Sequence, residues 1–122
     1  MDTPKIHESE YRFCLIFWEN EPINSTKLAA LCKEQLGWSK ATTYTVLRRL
    51  AERGVLKNEN ATVTSLIPKS QAQIAQMEDL VERTFEGSVP AFIATFCQCK
   101  KLTKADVEQL ERLIEDYKEE AE

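Results

Sequence analysis

Apolar residues recur at intervals of three and four between Trp38 and Leu56, and this spacing predicts one amphipathic helix. Ser39 can cap its N-terminus, and Gly54 can adopt the left-handed backbone that ends many helices. We therefore predict a helix over residues 40–53. Because its apolar stripe must face a core, the opposite side faces outward. The residues on that outward side are Ala41, Thr45, Arg48 and Glu52.

Two further helices are predicted before this one. The first spans residues 8–20 and carries apolar side chains around more of its circumference than one core contact requires. The second begins at Asn24 or Ser25, which are good N-caps, and ends at Gly37. Two helices joined by a short turn, the second with a polar outer face, form a helix-turn-helix.

The hydrophobic period changes after the third helix. Residues 55–57 and 62–67 are short and rich in β-branched side chains, and residues 58–61 favour a turn. We predict a β-hairpin closed by Pro68. Three helices followed by a hairpin describe a winged helix-turn-helix domain over residues 1–68, in a protein that is mainly α with a small β-hairpin wing.

Residues 69–122 are predicted to form three more helices. Ser70 caps the first, and Thr103 with Asp106 forms a near capping box at the start of the last. Three helices in roughly 50 residues bury too little surface to be stable alone, so we expect this region to dimerise with an identical subunit. A monomeric helical cap is the alternative. The predicted dimerisation residues are Ile74, Met77, Val81, Phe85, Phe92, Phe96, Leu110, Leu113, Ile114 and Tyr117.

Charge is distributed unevenly along the 122 residues. The chain has 16 Lys and Arg against 20 Asp and Glu, a net charge of −4, which argues against general coating of nucleic acid but permits a local basic face. The acidic excess lies in residues 69–122. No apolar run approaches the ~20 residues of a membrane span, and the N-terminus is unlike a signal peptide. We expect a cytoplasmic protein without a membrane partner.

Residue patterns typical of enzymes are not found in the sequence. It has no Gly-rich phosphate loop, and its single histidine, His7, has no partners for a catalytic triad or a zinc site. We predict that the protein is not an enzyme and has no catalytic residues. His7 is interpreted as a residue at the start of the first helix.

Cys97 and Cys99 are the candidate metal ligands. Two thiolates flanking one residue can bind copper or zinc, and two copies in a dimer could complete a site. On a continuous helix, however, the two side chains diverge by roughly 200°. Cys97 would then continue an apolar stripe into the core and leave Cys99 at the surface. Thiol oxidation is a further alternative, and we predict no cofactor.

The outward face of the helix over residues 40–53 suits the major groove of DNA. Its short side chains permit close approach, and its arginines can reach guanine edges or phosphates. A solvated helix face is the alternative, and a winged helix that binds only proteins is another. Arg53 is expected to be a solvated charge. The predicted DNA-binding residues are Lys40, Ala41, Thr42, Tyr44, Thr45, Arg48, Arg49, Lys57 and Asn58.

Several residues along nearly the whole chain carry a family resemblance. They are Ile6, Glu10, Tyr11, Trp18, the block WSKATTYTVLRRLAERGVL from Trp38 and the segment TFEGSVPAFIATF from Thr84. In these positions the chain resembles the penicillinase and copper repressor family of the BlaI, MecI and CopY type. The resemblance implies a homodimeric repressor that binds palindromic operator DNA. It also implies that the repressor is released from DNA by one of two signals. These are proteolysis downstream of a membrane sensor and metal binding.

The sequence departs from the family pattern at three places. Lys40-Ala41 stands where many relatives have Pro-Lys, so we expect the operator half-site to be read differently. The wing residues 58–61 lack glycine and arginine, and their acidic tip is expected to add less to DNA affinity. Thr95-Phe96 replaces the Asn-Phe pair of the cleavable relatives, which argues against release by that cleavage.

Overall fold

A computed structural model describes residues 3–121, which are mainly helical, as predicted, and contain a small three-stranded antiparallel sheet that includes the wing hairpin. The chain forms two compact units, Met1–Met77 and Glu78–Glu122. The helices are α1 (Glu8–Asn20), α2 (Ser25–Leu36), α3 (Lys40–Glu52), α4 (Lys69–Phe85), α5 (Val89–Cys99) and α6 (Lys104–Glu120). The strands are β1 (Ile23–Asn24), β2 (Leu56–Glu59) and β3 (Thr62–Ser65).

The core of the first unit lies between α1, α2, α3 and the sheet. The ring of Trp38, in the turn before α3, stacks on Phe13 of α1 with 6.2 Å between ring centroids. This contact fixes the turn of the helix-turn-helix against the core. The fully buried side chains are Phe13, Phe17, Leu28, Leu50, Leu56, Val55, Val63, Thr43, Cys14 and Cys32.

The ends of α2 and α3 follow from their capping residues. The Asn24 side chain accepts a hydrogen bond from the Thr26 backbone N–H at 2.8 Å, and Gly37 ends α2 with a φ of +71°. Ser39 caps α3 in the same way, and Gly54 follows it with a φ of +82°. The predicted capping residues of α2 and α3 are therefore confirmed. Helix α3 ends one residue earlier than predicted.

The sheet differs from the predicted hairpin in two respects. Strand β2 continues to Glu59, so the turn consists of Asn60 and Ala61, whose φ angles are 53° and 62°. The turn predicted at residues 58–61 was too long because an exposed strand needs no apolar residues to continue. In addition, β1 pairs with β3, with Ile23 opposite Val63. A strand of two residues is too short to show an alternating pattern.

The helices of the second half begin close to their predicted positions. Helix α4 begins at Lys69, with the Ala72 N–H donating to the Pro68 carbonyl, so Ser70 lies inside the helix and is not its cap. Thr103 and Asp106 form the predicted capping box at the start of α6, with both hydrogen bonds at 3.0 Å. Within residues 3–121, the structure has no helix with the length and apolar character of a membrane span.

The described part of the second unit has a thin interior. The rings of Phe85, Phe92 and Phe96 form a row with centroid distances of 5.4 and 5.1 Å. Val81 is buried, whereas no side chain of α5 or α6 is buried among the described residues. This unit therefore keeps most of its apolar surface accessible within a single chain.

Candidate nucleic-acid interface

The outer face of α3 is fixed by what its inner face buries. Thr43, Val46, Leu47 and Leu50 lie in the core, which leaves the opposite side of the helix accessible. Ala41, Thr45 and Arg48 follow one another at intervals of four and three residues and so share one narrow stripe. Ala41 and Arg48 are exposed, and Thr45 is half-buried.

Two threonines on this face make hydrogen bonds within the helix. The Thr45 hydroxyl donates to the Ala41 carbonyl oxygen at 3.0 Å. The Ser39 hydroxyl lies 3.0 Å from that of exposed Thr42 and also accepts from the Thr42 backbone N–H at 3.1 Å. These bonds hold both side chains in defined orientations.

The basic side chains of α3 lie at the two ends of this face. Arg48 and Arg49 are exposed in the second half of the helix, and among residues 3–121 neither pairs with a carboxylate. Lys40 is exposed at the first helical position, where the first turn contains no acidic residue. The helix N-terminus adds partial positive charge at that end. The face therefore has the sign of charge that attracts phosphate.

Tyr44 lies at the edge of this face. Its ring is half-buried against the core, and the Lys40 ammonium lies 5.9 Å from the ring centroid. Side-chain hydrogen bonds with Ser25 and Thr26 lower the pKa of Tyr44 below its ordinary value. Both residues lie at the start of α2, so the Tyr44 hydroxyl lies close to that helix.

The predicted wing residues lie on β2. Lys57 and Asn58 are exposed there, and the Lys57 ammonium is 3.8 Å from a carboxylate oxygen of Glu59. An exposed pair of this kind is weak, so Lys57 remains able to exchange this partner for another anion.

Arg53 is not the solvated charge that the sequence suggested. Its guanidinium pairs with Glu10, which is buried in α1, and also donates to the Lys5 carbonyl oxygen at 2.7 Å. Burial raises the pKa of Glu10. The Arg53 partner and a hydrogen bond from the His7 backbone N–H outweigh it, so the pKa lies below its ordinary value. The pairing was missed because its partners are far apart in sequence.

Cys97 and Cys99 are both exposed on α5. The expectation that Cys97 enters the core was wrong, because α5 has no buried position in the described chain. Within residues 3–121, no three His, Cys, Asp or Glu side chains are grouped as metal ligands. The remaining cysteines are buried, and burial raises the pKa of Cys14 to about 12.

The predicted dimerisation residues lie on α4, α5 and α6. Val81 is buried within the single chain, and Phe85, Phe92 and Leu110 are half-buried. The exposed members are Ile74, Met77, Phe96, Leu113, Ile114 and Tyr117.

Comparison with known proteins gives matches over nearly the whole chain. A family model described as penicillinase repressor matches residues 6–116. The chain is 21% identical to a penicillinase repressor of Bacillus licheniformis over 119 residues, covering 94% of this chain and 93% of the relative. It is 26% identical over 117 residues to an uncharacterized 16.5 kDa protein in the ptsI 3' region of Latilactobacillus sakei, covering 93% of this chain and 80% of that protein.

Proposed function

The chain belongs to the penicillinase repressor family, and from this membership we propose that it is a homodimeric repressor that binds a palindromic operator by inserting α3 into the major groove. Members of this family are regulators and not enzymes, and the membership supports a transcriptional repressor role. The dimer, the operator symmetry and the contact residues are what the proposal adds.

The observation that carries the proposal is the accessible face of α3. One side of α3 packs on the core, and the other side carries small side chains first and arginines later. This face fits the shape of the major groove and complements the negative charge of DNA. Arg48 would contact base edges, and so would Ala41, Thr42, Tyr44 and Thr45 on the same face. Lys40 and Arg49 at the edges would neutralise phosphates, as would Lys57 and Asn58 on the wing.

A second copy of the chain is proposed to cover the apolar surface of the second half. Leu113 and Ile114 of α6 are 58% and 56% exposed, and Tyr117 one turn later is 70% exposed. Side chains of this kind rarely remain in water when they form a continuous stripe. An isologous two-fold interface would bury the same stripe on both subunits, so residues 69–122 would act as the dimerisation region.

The dimer would give the protein its affinity and the operator its symmetry. One recognition helix contacts only a few base pairs, whereas two helices related by a two-fold axis read two half-sites about one helical turn or more apart. The binding free energies of the two contacts then combine. We therefore expect the operator to be a palindrome.

Selection of bound fragments from random duplex DNA tests this proposal. The expected result is an enriched palindrome bound by two chains, with an affinity that falls steeply as salt rises. Enrichment of a single asymmetric site bound by one chain would contradict the dimeric part of the proposal. Failure to retain any duplex at low ionic strength would contradict DNA binding and favour a module that binds proteins through its winged helix.

Replacement of Arg49 by Ala tests its predicted role at phosphate. Affinity should fall by a similar factor for the selected operator and for unrelated duplexes, and the slope of log K against log salt should become shallower by about 1. Fluorescence anisotropy at several salt concentrations measures both quantities. Arg12→Ala is the matched control, because Arg12 is also exposed but lies on α1. An effect confined to one base of the operator would instead place Arg49 at a base edge.

A further inference from the structure

We propose that Thr45, together with Ala41, recognises the 5-methyl group of thymine in the operator half-site. This inference rests on the proposed function and adds to it a chemical identity for the base beneath the middle of α3. It follows from the hydrogen bonding and position of the two side chains.

Ala41 and Thr45 both lie on the outward side of α3, and each side chain carries a methyl group. Ala41 and Thr45 are one helical turn apart, which is about 6 Å along the axis, or one to two steps of a strand with a 3.4 Å rise. Ala41 presents only a methyl group. The stripe then continues to Arg48, so its first part is apolar and only its later part is cationic.

The hydrogen bond of Thr45 determines which of its groups is available. Its hydroxyl proton is donated to the Ala41 carbonyl oxygen at 3.0 Å, so it is not available to donate to a base acceptor. The γ-methyl group and the acceptor lone pairs of the oxygen remain. Thr42 differs, because its own hydroxyl lies beside that of Ser39 and can still act as a donor.

Thymine is the base that suits such a surface. It carries an apolar 5-methyl group in the major groove, and contact with Ala or a Thr methyl is a recurrent way of reading it. Cytosine lacks this group at the same position and presents an amino donor. A methyl surface at Ala41 and Thr45 therefore favours thymine.

The test combines two variants with a modified operator. Thr45→Val keeps a methyl at the γ position and removes the hydroxyl, whereas Thr45→Ser keeps the hydroxyl and removes the methyl. Each half-site thymine is replaced in turn by deoxyuridine, which lacks only the 5-methyl group. Affinities are measured by fluorescence anisotropy on the operator selected from random DNA.

The expected results form a consistent set. One deoxyuridine should weaken binding of the unmodified protein by about threefold to fivefold, as expected for loss of one buried methyl contact. Thr45→Ser should weaken binding to the thymine operator by a similar factor. The affinity of this variant should then be the same with thymine and with deoxyuridine at that position. Thr45→Val should bind within about twofold of the unmodified protein and remain sensitive to it.

Thr95 provides a matched control. Its hydroxyl donates to the Ala91 carbonyl oxygen at 3.0 Å, as in Thr45, but it is exposed on α5. Thr95 is not one of the predicted dimerisation residues, so Thr95→Ser and Thr95→Val should leave operator affinity unchanged. Equal weakening by Thr95→Ser and Thr45→Ser would overturn the inference, because the effect would then come from helix stability.

Other outcomes separate this inference from the proposed function. Tight binding to an operator without half-site thymine, or uniform tolerance of deoxyuridine, would overturn the inference and leave the repressor proposal standing. Loss of binding in Thr45→Val with retention in Thr45→Ser would also overturn it, since the oxygen would then be the reading group. Failure of the unmodified protein to bind any duplex would overturn both.

Discussion

Glu10 and Arg53 form the one ion pair with a buried partner among the described residues. Glu10 is 5% exposed, so its charge is costly to bury unless it is paired. Arg53 comes directly after α3, and its other nitrogen holds the Lys5 carbonyl. The pair therefore fixes the end of the proposed recognition helix to α1 and to the segment before it.

The pH dependence of stability should show the contribution of this pair. Because the pKa of folded Glu10 lies below its ordinary value of 4.5, the carboxylate stabilises the fold above that pH, and the contribution is lost as pH falls through the folded pKa. The loss in the free energy of unfolding caused by Glu10→Gln should be largest at pH 7 and shrink towards pH 3. Urea denaturation at both pH values measures it.

An exposed carboxylate in the same turn provides the control for this measurement. Glu8→Gln changes the same functional group at the start of α1 but removes no buried pair, so its effect should be small at both pH values. An equally large effect of Glu10→Gln at pH 3 and pH 7 would contradict the assigned ion pair.

At the scale of elements, the wing turn contains an unfavourable residue. Ala61 has a φ of 62°, a region that costs an L-residue more than glycine. Ala61→Gly should raise the free energy of unfolding by about 0.5–1 kcal/mol, since the relief of strain exceeds the added entropy of the unfolded chain. Thermal and urea denaturation measure the change.

A glycine placed within a helix should have the opposite effect. Ala30 is exposed inside α2, and Ala30→Gly should lower stability by about 1 kcal/mol. A loss of stability in both variants would show that Ala61 is not held in the left-handed region.

The elements that sequence patterns predicted well are those with local signals. Ser39 and Gly54 define α3 because capping and left-handed termination act within a few residues, and the same holds for the Thr103 capping box. Strand β1 and the Glu10–Arg53 pair depend on residues about 40 positions away. Such pairings follow from the packing of the whole unit, which periodicity does not encode.

The candidate site, like the fold, was predictable where local signals determine it and not where side-chain partners do. The periodicity of α3 determined which residues face outward, because a buried stripe leaves only one accessible side. It gave no sign that the Thr45 hydroxyl would donate to the Ala41 carbonyl oxygen, since the partners of a hydroxyl depend on its rotamer. Cys97 was misplaced because the apolar stripe of α5 was assumed to be buried within one chain.

At the scale of the whole molecule, the apolar stripe of α6 predicts a dimer that a single charge can disrupt. Ile114→Asp should make the protein monomeric at micromolar concentration, because a carboxylate would be buried without a partner. Operator affinity should fall at least about tenfold once the two half-sites are bound independently. Sedimentation equilibrium and anisotropy measure the two effects.

The same charge at another position on α6 is the control. Arg112 is exposed and lies about 160° around the helix from Ile114 and about 100° from Leu113, so Arg112→Asp should remain dimeric. If Ile114→Asp also remained dimeric, the subunit contact would lie elsewhere.

The attachment of the wing limits how this protein can diverge. The Ser25 N–H donates to the Ala61 carbonyl oxygen at 2.8 Å, and β1 pairs with β3 directly beside that bond. An inserted residue in the turn would displace this carbonyl and disturb the first turn of α2 along with the hairpin. Evolution of new DNA contacts at the wing is therefore expected to proceed by exchange of side chains on a hairpin of constant length.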